Sequence, residues 1–487
     1  MDSEPMSKVR RALLFSFLTR YGGMLIGLVS AMIIARLLTP DQIGTFAIAS
    51  AIVMVISEFR LLGAGMYLVR ESELTDEKIR AATGLTMLIS WGMGIGIWFS
   101  AGPVADLYNL PPVATIFQIL SVSFFLAPLI SIPAALFTRD FRFRELFLIR
   151  IGTSLSSLVA TLVLIHLGYT YYALAWGYTI SVLVEFLIIL VYRPKGICWR
   201  PAFRNLGPIA SFGIYSSLAG FFRRGMVTAP DMIIGKMGTT AQVGLFSRGL
   251  GFIEFMSQIL LMGVKPVVLP FLSDVQRSGR DVNQAYIGAT VLLGGLVWPI
   301  LAVASVVSLP VIRLFFGNQW DEAAPFATLL AYWAMFRTVH WFSSDLLVTR
   351  GKERLMVIKE GAMFALYCIG IAAAYPFGLI YVAGSFAVVG FIDFLTTTTL
   401  LALFLNLEVL AFFQAWITNA VITVLCWGAS WLIYDAGKQA FEGNLIAFSG
   451  VAGLLPLIWL GCVFLLKHPL RHEVTHILRW CRQKVRS

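Results

Sequence analysis

Long apolar stretches, each closed by a short polar or basic turn, occupy almost the whole chain. They fall at about 11–38, 41–68, 79–102, 113–137, 145–167, 170–192, 205–234 and 241–270, and continue at about 283–312, 324–348, 355–376, 378–404, 409–434 and 443–466. Most run to roughly 20–27 residues, the length an α-helix needs to cross a bilayer. The pattern predicts an all-α membrane protein of about fourteen transmembrane helices.

One stretch occurs twice. Met32-Ile-Ile-Ala-Arg-Leu-Leu-Thr-Pro-Asp-Gln-Ile-Gly-Thr-Phe46 returns as Met232-Ile-Ile-Gly-Lys-Met-Gly-Thr-Thr-Ala-Gln-Val-Gly-Leu-Phe246. Apolar residues match easily by chance, so the shared Thr-x-x-Gln-x-Gly-x-Phe carries the weight. Two later pairs keep the same order: Val104/Leu107/Tyr108 with Val311/Leu314/Phe315, and Thr138-Arg139 with Thr349-Arg350. The chain therefore reads as two six-helix repeats followed by two further helices. The expected division is a first lobe over 1–200, a second over 201–406, helices 13 and 14 over 407–466, and a basic tail over 467–487. An even number of helices per repeat makes the repeats parallel, with a central cleft expected between them.

Composition agrees: 58% of residues are hydrophobic and 13% charged. The net charge of +11 does not point to nucleic acid, because most basic residues sit in alternate short loops and at the ends. That asymmetry places both termini in the cytoplasm. The tail His468–Ser487 reads as a basic amphipathic helix lying on anionic lipid. The five cysteines are scattered with no CxxC pair, and no Gly-rich phosphate loop, metal-spaced His/Cys set or long catalytic loop is present. The reading is a non-enzyme without cofactor or metal.

Charge inside the spans changes the picture most. Arg20, Arg60, Arg223, Arg224, Arg248 and Arg337 lie deep in apolar stretches, where each costs about 2.5–3.5 kcal/mol on insertion scales unless it has a partner or water. Glu58, Glu185, Asp231, Glu254, Asp345, Glu360 and Asp393 are available acids. His340, Trp341 and Ser344 follow Arg337 at helical spacing and predict one polar stripe with it. The repeat does not preserve these charges: Arg20 aligns with Gly220, Arg60 with Leu260 and Arg248 with Ile48. Structural pairing within the bundle would account for single residues. An excess of arginine from both repeats suits a cleft that recognises phosphate oxygens.

The residues Ile34–Phe46, Asp231–Gly235 with Gln242–Phe246, and Leu314-Phe-Phe-Gly-Asn-Gln-Trp-Asp-Glu-Ala-Ala-Pro325 resemble the superfamily of multidrug, oligosaccharidyl-lipid and polysaccharide exporters, in particular its Wzx-type flippases. The resemblance runs from about Ser7 to Leu466. It implies alternating access that carries an undecaprenyl-diphosphate-linked oligosaccharide from the cytoplasmic to the periplasmic leaflet of a bacterial inner membrane. The products would be exopolysaccharide, capsule or O-antigen. It also implies a cationic lumen, for which the six arginines and His340 are the candidates, and a coupling-cation site near Asp231 and Asp393. Membrane lipid and polymerase, chain-length or export components are the implied partners. Two rivals stay open: a cation-coupled drug exporter of the same fold, and a membrane polysaccharide polymerase or ligase.

Overall fold

The computed structural model describes residues 3–194, 197, 199–440, 444–476 and 479. The first repeat holds α1 (Ser3–Leu37), α2 (Pro40–Ser57), α3 (Ala64–Arg70), α4 (Asp76–Tyr108), α5 (Pro112–Arg139), α6 (Phe143–His166) and α7 (Tyr172–Tyr192). The second holds α8 (Gly207–Met237), α9 (Thr240–Arg277), α10 (Val282–Val306), α11 (Ser308–Phe316), α12 (Ala324–Val339), α13 (Ser343–Thr349), α14 (Glu353–Ala374) and α15 (Leu379–Leu405). The last two are α16 (Val409–Ala440) and α17 (Asn444–Leu465).

Each of the fourteen expected spans is a helix or a helix pair. Among the described residues, eleven helices are long and apolar enough to cross a membrane. The other three spans are α8, α9 and the pair α12–α13, which carry Arg223, Arg224, Arg248 and Arg337. Charges lower the apolarity of α8 and α9, while α12 and α13, of 16 and 7 residues, are each too short to cross alone. The protein is a multi-pass membrane protein. Of the expected tail helix, residues 470–476 are helical, while 477, 478 and 480–487 lie outside the described residues.

Packing gathers the chain into two compact units, one of Met1–Ser247 with Val357–Ala372, the other of Arg248–Met356 with Ala373–Ser487. These units cut the chain elsewhere than the sequence repeat does. The helix α8, second-repeat by sequence, packs within the first unit, where Phe364 of α14 meets Phe221 and Phe222 at centroid distances of 6.2 and 5.8 Å.

The repeated stretch explains itself in the first unit. Thr39 caps α2, with the Gln42 N–H donating to its hydroxyl (3.3 Å) and its own N–H donating to the Gln42 side chain (3.1 Å). Thr239 and Gln242 make the same reciprocal pair at the start of α9, at the same two distances. Each box satisfies donors that a helix start leaves open. The two starts also cross. A methyl group added to Gly44 would land on the Thr240 carbonyl, and one added to Gly244 would land on the Pro40 carbonyl. The Thr240 hydroxyl donates to the Asp41 carboxylate. Nearby, the Lys236 ammonium donates to the Leu107 carbonyl at 2.6 Å, and the Tyr108 hydroxyl to the Met232 carbonyl at 3.1 Å. The repeat is a self-complementary contact.

In the second unit, α10 packs on α16 and α12 on α15. Gly294 and Gly295 open a notch in α10 that receives the Trp416 ring and the His468 ring. His468 is fully buried. Its Nε2 lies 2.6 Å from Asn419 Oδ1, and its Nδ1 accepts the Leu470 N–H at 3.1 Å. The Asn419 amide nitrogen donates to the Val291 carbonyl, which fixes its oxygen as the acceptor and His468 as the neutral Nε2–H form. Burial pushes the His468 imidazole below its ordinary range.

Two predictions follow from this packing. Gly44→Ala should cost about 3 kcal/mol, at the upper end for overpacking, because the obstacle is a carbonyl that cannot turn aside. Gly27→Ala, whose methyl meets nothing within 4 Å, should leave the thermal midpoint in detergent unchanged. For His468 the folded state prefers the neutral ring. Its contribution is complete above the ordinary histidine value near ~6.5 and is lost as pH falls through the lower folded value. Thermal midpoints measured from pH 7.5 to 5 should fall, and His468→Gln should flatten part of that fall.

Candidate functional site

In the first unit the second span is broken. The helix α2 ends at Ser57 and α3 starts at Ala64; between them Leu62 (φ 39°) and Gly63 (φ 70°) are left-handed. A leucine in that region is strained by roughly 1–2 kcal/mol, so the surroundings must hold it. The helix α8 does so with small residues seven apart. A methyl on Gly213 would strike the Leu62 carbonyl, and one on Gly220 would sit 2.8 Å from Glu58 Oε2. Arg224, one turn beyond Gly220, brings its Nε to 3.3 Å from Glu58 Oε1. Its side chain is 49% exposed.

Arg60, inside the same break, lies over the Phe124 ring at 5.6 Å, and its Nε is buried without a hydrogen-bond partner among the described residues. Arg20 on α1 and Arg223 on α8 are half-buried. Arg223 and Arg224 point about 100° apart around the helix, and it is Arg224 whose Nε meets Glu58. Asp231 accepts a hydrogen bond from the Ser247 hydroxyl.

The second unit holds two arginines in aromatic boxes. The Arg337 guanidinium is 5.0 Å from the centroids of both Trp333 and Trp341, and it donates to the Glu254 carboxylate. Both partners are mostly buried. Arg248 lies 4.7 Å from the Phe316 centroid and 4.8 Å from that of Trp320. Among the described residues no carboxylate pairs with it, and its Nε is buried without a hydrogen-bond partner. The stretch Leu314–Pro325 builds this cage: Phe316 ends α11, Trp320 is fully buried in the 3-10 turn Asn318–Ala323, and Arg313 grips Asp321 through two bonds of 2.8 and 2.6 Å. Gly249 lets this turn close on α9, since a methyl there would lie 3.0 Å from the Ala323 carbonyl.

The expected stripe of Arg337, His340, Trp341 and Ser344 crosses an interruption. The helix α12 stops at Val339 and α13 begins at Ser343, so helical spacing does not carry through 340–342. The turn brings Trp341 back to Arg337 and turns His340 inward. His340 is 6% exposed, with Nδ1 at 2.8 Å from the Tyr286 hydroxyl and Nε2 at 2.7 Å from Thr398 Oγ1. Asp393, on α15, accepts from the Thr397 hydroxyl at 3.1 Å.

Sequence reasoning listed Glu58 and Glu254 as acids but did not pair them, and it passed over Phe316, Trp320, Tyr286 and Thr398. The one available signal was the aromatic content of the Leu314–Pro325 motif.

Helical spans in two repeats, with guanidinium groups held inside by aromatic rings, define a multi-pass membrane protein of the exporter fold. The chain belongs to the polysaccharide biosynthesis protein family, whose model matches residues 33–325. It is 22% identical over 422 residues to the teichuronic acid biosynthesis protein TuaB of Bacillus subtilis (strain 168), covering 82% of this chain and 84% of that one. It is 24% identical over 328 residues to the succinoglycan biosynthesis transport protein ExoT of Rhizobium meliloti (strain 1021), covering 66% and 65%. Its fold is similar to a solved structure of the lipid II flippase MurJ in an inward closed conformation, with a TM-score of 0.74 and 14% identity over 95% of this chain and 100% of that one.

The Arg337–Glu254 pair gives a stability prediction. Removing either partner leaves the other charge mostly buried, so Arg337→Ala and Glu254→Ala should each destabilise by about 3 kcal/mol. The double variant should lose less than the sum, with a coupling of roughly 1–3 kcal/mol in a thermal or denaturant cycle.

Proposed function

We propose that the chain is a flippase for undecaprenyl-diphosphate-linked oligosaccharide repeat units, moving them from the cytoplasmic to the periplasmic leaflet of the inner membrane by alternating access of an arginine-lined cleft. The names of its relatives support the polysaccharide context, and the MurJ-like fold supports lipid-linked cargo. The observation that carries the reading is Arg248, a cation clamped between Phe316 and Trp320 with a buried donor left open. A buried unsatisfied donor costs about 1–3 kcal/mol, more when charged. An incoming phosphate oxygen would satisfy it, and the aromatic faces already hold the guanidinium plane for a charge-assisted bond.

The arginines fall into two groups in this reading. Arg224 and Arg337 have carboxylates that a diphosphate must displace. Arg60 and Arg248 are held by rings, while Arg20 and Arg223 flank the route. Asp231, which accepts from Ser247, and Asp393, which accepts from Thr397, are the candidates for a coupling cation. Both termini are placed in the cytoplasm, and polymerase, chain-length and export components are the proposed partners. The drug-exporter alternative fits less well, because a cationic drug would be repelled by Arg248. The polymerase or ligase reading lacks a supporting residue set, and we take the protein as a non-enzyme.

The test is deletion of the gene in its host, scored for surface polysaccharide and lipid-linked repeat units. Complementation with Arg248→Ala should restore less than a tenth of the polymer at matched levels of folded protein, a comparison needed because the truncation also removes packing against Phe316 and Trp320. Arg248→Lys should rescue only in part, because an ammonium gives no planar fork. Full rescue by Arg248→Ala, or unchanged polysaccharide in the deletion strain, would overturn the proposal.

A further inference from the structure

The segment joining the two sequence repeats is strapped to the first unit. After α7 ends at Tyr192 the chain turns back along that helix, so that Trp199 lies 6.3 Å from Phe186. Ile197 is buried in one core with Leu85 and Ile209, and Trp199 packs against it. The segment then crosses the start of α4. The Ala202 N–H donates to the Arg80 carbonyl at 2.9 Å, and a methyl on Gly84 would strike the Ala202 carbonyl. Only a glycine lets a backbone come this close to a helix.

That path gathers three guanidinium groups at one end of the unit. Arg193 lies over the Trp199 ring at 5.0 Å and donates to the Ile197 carbonyl at 3.5 Å. Arg80 donates through Nε to the Arg200 carbonyl at 3.4 Å. Arg200 follows Trp199 in the chain, and all three arginines are exposed. Each guanidinium has five N–H donors. Among the described residues this geometry uses one in Arg80, one in Arg193 and none in Arg200, and none of the three pairs with a carboxylate. The acids close by have other roles. Glu145 is held by Arg142, which also donates to the Tyr192 carbonyl at 3.3 Å. Glu77 is met by Asn205 at 3.5 Å, and Asp76 beside it sits in the first turn of α4, where a negative charge suits the helix dipole.

The bordering surface is apolar. Leu183, Leu187 and Leu190 are exposed and stand within about 100° of Phe186 around α7. Phe203 is exposed just beyond Arg200. A cationic cluster that ends an apolar helix face, with a tryptophan at the junction, suits a molecule with a phosphodiester head and acyl chains. Free phosphate or diphosphate shares the head chemistry but has nothing to lay on the leucine ridge. We propose that Arg80, Arg193 and Arg200 form a binding site for the headgroup of an anionic phospholipid whose acyl chains run along α7. The lipid thereby touches the segment that joins the repeats. The site is separate from the interior arginines and does not rest on the flippase reading.

The test uses the full chain in phosphatidylcholine nanodiscs with a trace of phosphatidylglycerol bearing a photoreactive acyl chain, the labelled peptides being mapped by mass spectrometry. Label should fall on α7 and on residues 199–206. Unlabelled phosphatidylglycerol should compete for it, whereas extra phosphatidylcholine, inorganic phosphate and pyrophosphate should not. Arg200→Gln, whose side chain bonds nothing in the fold, should raise the competition midpoint about fivefold, the effect of one charge near a lipid surface. Replacing all three arginines by Gln should raise it more than tenfold. Should that triple variant fail to fold, the Arg200→Gln result decides. An unchanged midpoint, or label competed equally by phosphatidylcholine, would reduce the site to ordinary lipid contact and sink the proposal. Competition by phosphate or pyrophosphate would overturn it in favour of a free-anion site.

Discussion

The contact on which the first unit depends is the crossing of two helix starts. Gly44 and Gly244 allow α2 and α9 to approach until each backbone touches the other, and the paired capping boxes satisfy the amides this approach would otherwise strand. Thr39 and Gln42, Thr239 and Gln242 are therefore repeated for one reason. They let a helix begin at a place where water is displaced by another backbone. Every side chain placed from α2 to α8 within this unit, including Glu58 and Arg224, takes its position from elements that this crossing helps to fix.

Charge in the interior is housed in two ways. One is neutralisation: Glu58 meets Arg224, and Glu254 meets Arg337. The other is shape, with a flat cation laid between flat rings, as Phe316 and Trp320 hold Arg248. The first way satisfies the charge and the second satisfies only its faces. In the proposed function, that difference separates an arginine that serves the scaffold from one left ready for an anion. Breaks in the spans sit beside both arrangements. Residues 58–63 and 340–342 interrupt helices within the expected spans, and in a membrane irregular backbone survives only where protein or water meets its polar groups.

Much of the fold was legible in the chain because hydropathy averaged over twenty residues is insensitive to detail. The fourteen spans and the duplicated Thr-x-x-Gln-x-Gly-x-Phe could be read directly. The same averaging hid the breaks. His340-Trp-Phe342 contains neither glycine nor proline, and its apolar rings look like continued helix. The pairing of Glu254 with Arg337 spans 83 positions, a separation at which no local spacing rule applies. The cage around Arg248 was visible as a motif but not as a cage, because stacking depends on where a 3-10 turn lays Trp320.

The glycine crossing has one more consequence, for how such a chain changes over time. When a side chain crowds its neighbour, a second substitution at the neighbour relieves the clash. Gly44 and Gly244 have no such neighbour, because each faces a main-chain carbonyl that every amino acid carries. No partner mutation in the facing segment removes that atom. After the duplication the two copies were free to exchange Arg for Gly or Ile in their spans, yet neither could drift at these two positions without moving the other.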